Sequence, residues 1–194
     1  PRLILASTSR YRRELLARLR LPFDVVAPDL DETPLPGDSP RALAERLALG
    51  KAEAVAAQYG DVVVIGSDQV AELDGQAIGK PLTHQVAVAQ LRAMSGRRVV
   101  FHTAVAVVRR DCGFSRSLLA PVIVTFRSLT DPEIEHYLRT EQPYDCAGSA
   151  KSEALGVALL AAIESDDPTA LIGLPLIRTC TLLREAGLDP LAPR

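Results

Sequence analysis

Apolar residues fall along this chain in two patterns, short unbroken runs and longer stretches broken by turn residues, and the difference sorts its elements. Leu3 to Ala6 and Val62-Val63-Val64-Ile65-Gly66 are unbroken runs, as strands covered on both faces have. Ser7-Thr8-Ser9 are N-cap candidates, so a helix is predicted to about Arg20, with Leu15, Leu16 and Leu19 on one face. Phe23 to Ala27 reads as a second strand, and Asp29-Leu30-Asp31-Glu32-Thr33-Pro34 as an acidic loop. Ser39-Pro40 opens a helix running to about Tyr59, stopped by Gly60. Ser67-Asp68-Gln69 fall where the central strand is expected to end. Asp74-Gly75, inside Val70 to Ile78, is a two-residue hairpin signal. Thr83 caps a helix to about Met94, and Val99 to Val108 and Leu118 to Phe126 read as long strands. Thr130-Asp131-Pro132-Glu133 is a capping box for a helix through about Thr140. Tyr144 to Cys146 and Gly156 to Ile163 have strand-like content. Pro175 starts a last helix, with Leu176, Cys180 and Leu183 in register, ended by Gly187 and Pro190.

The sum is mixed α/β, with βα units early and a hairpin-rich second half. No repeat or low-complexity linker divides it, and 194 residues suit one domain over 1–194 or two intimately packed lobes. A hydrophobic share of 47% is ample for a core. With 4% aromatics and no Trp, neither base stacking nor an aromatic membrane belt is expected. The net charge of -2 lacks the basic excess of a nucleic-acid binder, so any anion site must be local. Neither a signal-peptide pattern nor an apolar run of membrane-spanning length is read, so no membrane partner and a cytoplasmic location are expected. The cysteines, Cys112, Cys146 and Cys180, are widely spaced and suit a reducing compartment better than a disulfide or zinc framework.

Several chemistries drop out on pattern. There is no G-x-S-x-G and no H-E-x-x-H, and His84, His102 and His136 lack ligand spacing. Gly75 to Pro81 has three residues between its glycines where a P-loop needs four, and Pro81 stands where the metal-binding hydroxyl belongs.

Three constellations remain. Ser7 to Glu14 hand a strand to a helix, and free N–H groups at such a start suit an anion. Arg12 and Arg13 oppose the dipole preference of a first turn and make sense beside a phosphate; a capped helix with solvated arginines satisfies the same pattern. Asp68, after the most apolar strand, is placed to hold a hard metal ion or act as a general base, or to cap a turn. The Asp29 to Glu32 loop, taken alone, reads as a solvated acidic turn. Lys51 falls near the apolar stripe of its helix, Lys80 sits in Gly79-Lys80-Pro81, and Lys151 lies in a small-residue segment. Each alone suits a surface lysine; together with the acids they suit polyphosphate and a divalent metal.

Ser7 to Leu16 (S-x-S-x-x-R-R-x-E-L-L) resembles the Maf-like nucleotide pyrophosphatases, as do Asp31-Glu32, Lys51-Ala52, Gly66 to Val70, Gly79 to Thr83 and Ala147-Gly148. The resemblance spans Leu3 to about Leu188, and Gly66 to Val70 and Ala147 to Glu153 resemble the 7-methyl-GTP pyrophosphatase branch better than the dTTP/UTP branch. It implies an elongated mixed sheet flanked by helices, with two lobes around a cleft, a fold shared with inosine triphosphate pyrophosphatases. By the same resemblance Asp68 is the proton acceptor, and Tyr11, Gln69 and Glu153 set base specificity. Arg12, Arg13, Lys51 and Lys80 hold phosphates, with Ser7, Ser9 and Lys151 counted to that set. Glu32 and Asp68 serve a required divalent cation, Mg, Mn or Co. The family usually has Pro where this chain has Arg10.

The expected reaction is hydrolysis of 7-methyl-GTP to 7-methyl-GMP and diphosphate, with Asp68 deprotonating a metal-bound water that attacks the α-phosphorus. A role in removing modified nucleotides from the pool goes with it. The cationic ring of a 7-methylated guanine suits the Tyr11 face, and a Glu153 carboxylate can accept from the guanine N1 and N2 donors while countering the charge. Hydrolysis of dTTP, UTP or another modified nucleotide is the alternative enzyme, and a nucleotide-binding division regulator with little turnover is the alternative of another class. A homodimer is left open.

Overall fold

The computed structural model describes residues 1–192. In chain order its elements are β1 (Arg2–Ala6), α1 (Arg10–Ala17), β2 (Phe23–Val26), α2 (Pro40–Ala56), β3 (Val62–Leu73), β4 (Gln76–Ile78), α3 (His84–Met94), β5 (Arg98–Arg109), β6 (Phe114–Phe126), α4 (Asp131–Glu141), β7 (Leu160–Glu164) and α5 (Leu176–Glu185). The strands form one mixed sheet, ordered β2-β1-β3-β5-β6-β7, with β4 hairpinned onto β3. β1 lies parallel to β2 and β3, as βα connections require, and every later pairing is antiparallel.

The central strand differs most from expectation. It does not end at Gly66 but runs to Leu73. β1 stops pairing at Ala6, opposite Gly66, whereas β5 stays paired with β3 through Glu72. The switch from apolar to polar residues at Ser67 therefore marks the loss of one neighbouring strand. Asp68 stands in mid-strand opposite Ala104, just past the end of β1.

Smaller differences have local causes. The expected helix to Arg20 is α-helical only to Ala17, because Arg18, Leu19 and Arg20 bond three residues back and Arg20 takes φ 54°. The second helix stops at Ala56, short of Tyr59. β6 begins at Phe114, since Ser115 to Ser117 pair with Ala106 to Val108 by backbone and need no apolar side chains. Tyr144 to Cys146 form a turn, closed by the Cys146 amide on Pro143 O at 3.2 Å. Gly156 to Ile163 is split between a 3-10 turn, Leu155–Leu159, and β7. The Thr130 capping box and the Asp74-Gly75 hairpin form as read; both turn residues take positive φ.

The core has three parts. α2 covers one face of β1, β3 and β5 through Leu43, Leu47, Val55 and a row of alanines. α1 and α5 cover the other face there, through Leu15, Leu16, Leu182 and Leu183. Beyond the end of β1, α3 and α4 pack on β5 and β6 around Phe101, Leu91, Ile134 and Leu138. Polar Ser67, Asp68, Gln69 and Thr103 lie where these regions meet.

Gly66 sets how close α2 can come. A Cβ there would lie 2.2 Å from Ala48 O and 2.7 Å from Ala52 N, backbone atoms that cannot turn aside. Gly66→Ala is expected to destabilise by about 3 kcal/mol, the upper end of overpacking costs. A chemical denaturation curve with an unchanged midpoint would show that α2 is not held against β3 here.

Candidate active site

Asp68 is 8% exposed, and its carboxylate faces α2. Lys51 Nζ donates to Asp68 Oδ1 at 2.6 Å and to Glu32 Oε2 at 3.0 Å. The lysine is buried among the apolar residues of α2, so these two carboxylates replace its lost water. Glu32 reaches it from the acidic loop before α2. That loop is moored: Leu30 packs 3.0 Å from where a Gly50 Cβ would stand, and Arg46 donates to Thr33 O at 3.2 Å. Asp29 and Asp31 are exposed, as in a solvated turn, but Glu32 is tied to the buried pair.

Arg12 completes a cluster of two cations and two anions. Burial pushes its guanidinium below the usual arginine value, while Asp68 and then Glu32 pull it back up. Its Nε donates to Gly173 O at 2.8 Å. Ser67 Oγ is within 3.1 Å of the same oxygen and 2.7 Å of Ala104 O. Thr103 Oγ1 donates to Ala170 O at 2.9 Å, and Gln69 Nε2 reaches Ala170 O, Leu171 O and Thr103 Oγ1. The segment before α5 is thus stitched to the sheet beside Asp68. Asp167, fully buried, holds its other end by accepting from Ile177 N and Arg178 N, caps that Pro175 cannot provide.

At the start of α1, Ser9 Oγ accepts from Arg12 N at 3.4 Å and Ser7 Oγ from Ser9 N at 3.1 Å. The N–H groups of Arg10 and Tyr11 have no hydrogen-bond partner among the described residues. Arg13 and Lys80 are exposed and pair with no acid among the described residues.

A second group lies around Tyr11. Arg10, Tyr11, Glu141, Gln142, Pro143, Tyr144, Asp145 and Lys151 line a pocket of about 440 Å³. The Arg10 guanidinium lies over the Tyr11 ring at 4.8 Å and the Lys151 ammonium at 5.8 Å. Lys151 pairs with Glu141 at 2.8 Å, and that hydrogen bond holds its ammonium above the usual lysine value. Burial, and then Asp145, push the neighbouring Cys146 thiol up to about 12, so it stays protonated. Glu153 is exposed and does not line this pocket. A larger, apolar pocket of about 530 Å³ lies between the β3–β4 hairpin and α3, lined by residues such as Leu73, Ile78 and Val86 and by none of the groups described above.

The structure therefore brings Asp68, Lys51, Glu32 and Arg12 together, gathers Tyr11 and Lys151 at a second pocket, and leaves Arg13, Lys80 and Glu153 at the surface. Gln69 spends its amide donors on the loop before α5. Gly66 enters the sequence reading only as a strand end and a motif residue, although a glycine inside a strand also signals close backbone approach. Gly173, Asp145 and Glu141 gave no comparable signal.

The description "Maf-like protein" matches residues 2–186. A 7-methyl-GTP pyrophosphatase of Polaromonas sp. (strain JS666) is 68% identical, covering 99% of this chain and 88% of its own. Proteins of the same name from Albidiferax ferrireducens and Thiobacillus denitrificans are 64% and 57% identical, covering 98% of this chain and 96% and 95% of theirs. Among solved structures, the Ham1 protein of Staphylococcus aureus is similar with a TM-score of 0.47 at 18% identity, over 65% of this chain and 72% of that one.

Proposed function

The chain belongs to the Maf-like protein family, and on that premise we propose that it is a nucleoside triphosphate pyrophosphatase that hydrolyses 7-methyl-GTP to 7-methyl-GMP and diphosphate. The observation that carries the reading is near-end-to-end identity with proteins of that name. The cluster around Asp68 supplies a matching chemistry. A water attacks the α-phosphorus, Asp68 takes its proton, and the bond to the bridging oxygen of the β-phosphate breaks. Arg12 and Lys51, with Arg13, Lys80 and the start of α1, meet the phosphate charge.

Glu32 and Asp68 fit a divalent cation. Both carboxylates converge on the Lys51 ammonium, and magnesium is commonly bound by one or two carboxylates plus substrate phosphates. Bound there, magnesium, manganese or cobalt supplies positive charge against the triphosphate. We place this activity on a free nucleotide in the cytoplasm; no helix among the described residues is long and apolar enough to cross a membrane.

The base belongs at Tyr11. Arg10 already lies over that ring, so a cationic base would take its place. A desolvated cation–π contact is worth about 2 kcal/mol and an exposed one about 0.5–1. Displacing Arg10 costs either base the same, so the advantage of a 7-methylated over a plain guanine is about 2 kcal/mol, roughly thirtyfold. We expect kcat/KM for 7-methyl-GTP to exceed that for GTP by about this factor. Tyr11→Ala should remove most of the preference. Glu153→Gln should shrink it by loss of a nearby negative charge. The test is a turnover screen over ordinary and modified triphosphates with monophosphate and pyrophosphate identified as products. Equal hydrolysis of GTP, dTTP or UTP would sink the base assignment; absence of pyrophosphate would sink the reaction.

A further inference from the structure

Three carboxylates lie near the Tyr11 pocket, and their engagements differ. Glu141 is committed, with Oε1 accepting from Lys151 Nζ at 2.8 Å and Oε2 from Leu155 N at 3.1 Å. Glu153 is exposed and outside the lining. Asp145 lines the pocket, and its two oxygens have only weak partners: Tyr11 Oη at 3.4 Å and the Cys146 thiol at 3.5 Å. The first is long for a hydroxyl donor and the second comes from a thiol, a weak donor, so the acceptor capacity of this carboxylate is only weakly used.

The turn that presents Asp145 is rigidly held. Tyr144 Oη lies 2.8 Å from His84 Nδ1, and His84 Nε2 lies 3.0 Å from Glu135. Tyr144 O accepts from Leu82 N at 3.1 Å, and the Pro143–Cys146 hydrogen bond closes the turn. The backbone that carries this carboxylate is thus held beside the Tyr11 hydroxyl, with both oxygens only weakly engaged.

A guanine stacked on Tyr11 has two donors on one edge, N1–H and the N2 amino group, and a carboxylate matches them bidentately. Resting on the reading of this pocket as the base site, we propose that Asp145 is the specificity-determining residue that recognises the N1 and N2 donors of the guanine ring. Glu153 then acts only through its charge, on the methylated ring. The two roles separate experimentally: hypoxanthine lacks the 2-amino group and keeps N1–H, so it distinguishes donor recognition from charge.

The test is binding of 7-methyl-GMP and 7-methyl-IMP by titration calorimetry to the wild type, Asp145→Asn and Glu153→Gln. The wild type should hold the guanine nucleotide about tenfold more tightly, one decade for the lost charge-assisted hydrogen bond. Asp145→Asn replaces an acceptor by a donor at an exposed turn, where packing is not disturbed. It should weaken 7-methyl-GMP about tenfold to a hundredfold and reduce the ratio of the two affinities to near one. Glu153→Gln should weaken both ligands and keep the ratio. An Asp145→Asn variant with the wild-type ratio, a wild type with no ratio, or loss of the ratio in Glu153→Gln would each overturn the proposal. Binding is read without turnover, so a protein that releases no pyrophosphate would defeat the proposed reaction and leave this result to stand or fall by itself.

Discussion

Asp68→Asn should fold, bind nucleotide and lose turnover by roughly 10²–10⁴, the usual worth of a general acid–base group. The substitution keeps the size of a side chain that β3 and α2 enclose. An amide oxygen can still accept from Lys51, and Lys51 keeps Glu32, so no buried cation is left without an acceptor. What is lost is the ability to take a proton from water. The measurement is single-turnover release of pyrophosphate alongside a binding titration. Retention of near-normal turnover with magnesium or manganese present would show that another group is the base. Unchanged turnover at raised metal alone would instead assign Asp68 to cation binding.

Lys51→Met should act on both stability and binding. The substitution leaves Asp68 in a buried position without its cation, and removing one partner of a buried pair typically costs about 3–5 kcal/mol. Some exposure of Asp68 and access through half-exposed Glu32 place the expected loss near about 3 kcal/mol. The double variant Lys51→Met, Asp68→Asn should recover part of it, with a coupling of about 1–3 kcal/mol in a denaturation cycle. Additive losses would mean that the ion pair does not stabilise the site. Triphosphate affinity should fall far more than nucleoside affinity, because the lost partner is an anion. Equal losses would place Lys51 away from the phosphates.

Residues of this chain carry two kinds of information, local and long-range. The buried runs Leu3 to Ala6 and Val62 to Gly66, the Ser9, Ser39 and Thr83 caps, the Thr130 capping box and the Asp74-Gly75 turn are local: a hydroxyl beside a free N–H, or a positive φ, is decided within four residues. They were legible for that reason. So was Lys51 on an apolar stripe, since helical periodicity is itself a statement about burial.

Partnership was not local, and tertiary structure decided it. The pattern at Ser67 to Gln69 records a change of environment, and only the sheet reveals that β1 ends there while β5 continues. The acidic loop contains three similar carboxylates, and which one reaches Lys51 depends on where Leu30 and Arg46 moor the chain against α2. Lys151 and Glu153 are two residues apart, yet one faces Tyr11 through its pair with Glu141 and the other lies in solvent. Asp145 carries no motif at all. By itself the sequence determined most of the elements, through local propensity and periodicity, the family resemblance, through its separated motifs, and the types of charge available for chemistry, through residue identity. Which charges meet was decided by long-range packing, because a salt bridge or a pocket lining joins residues that the chain separates by tens to more than a hundred positions.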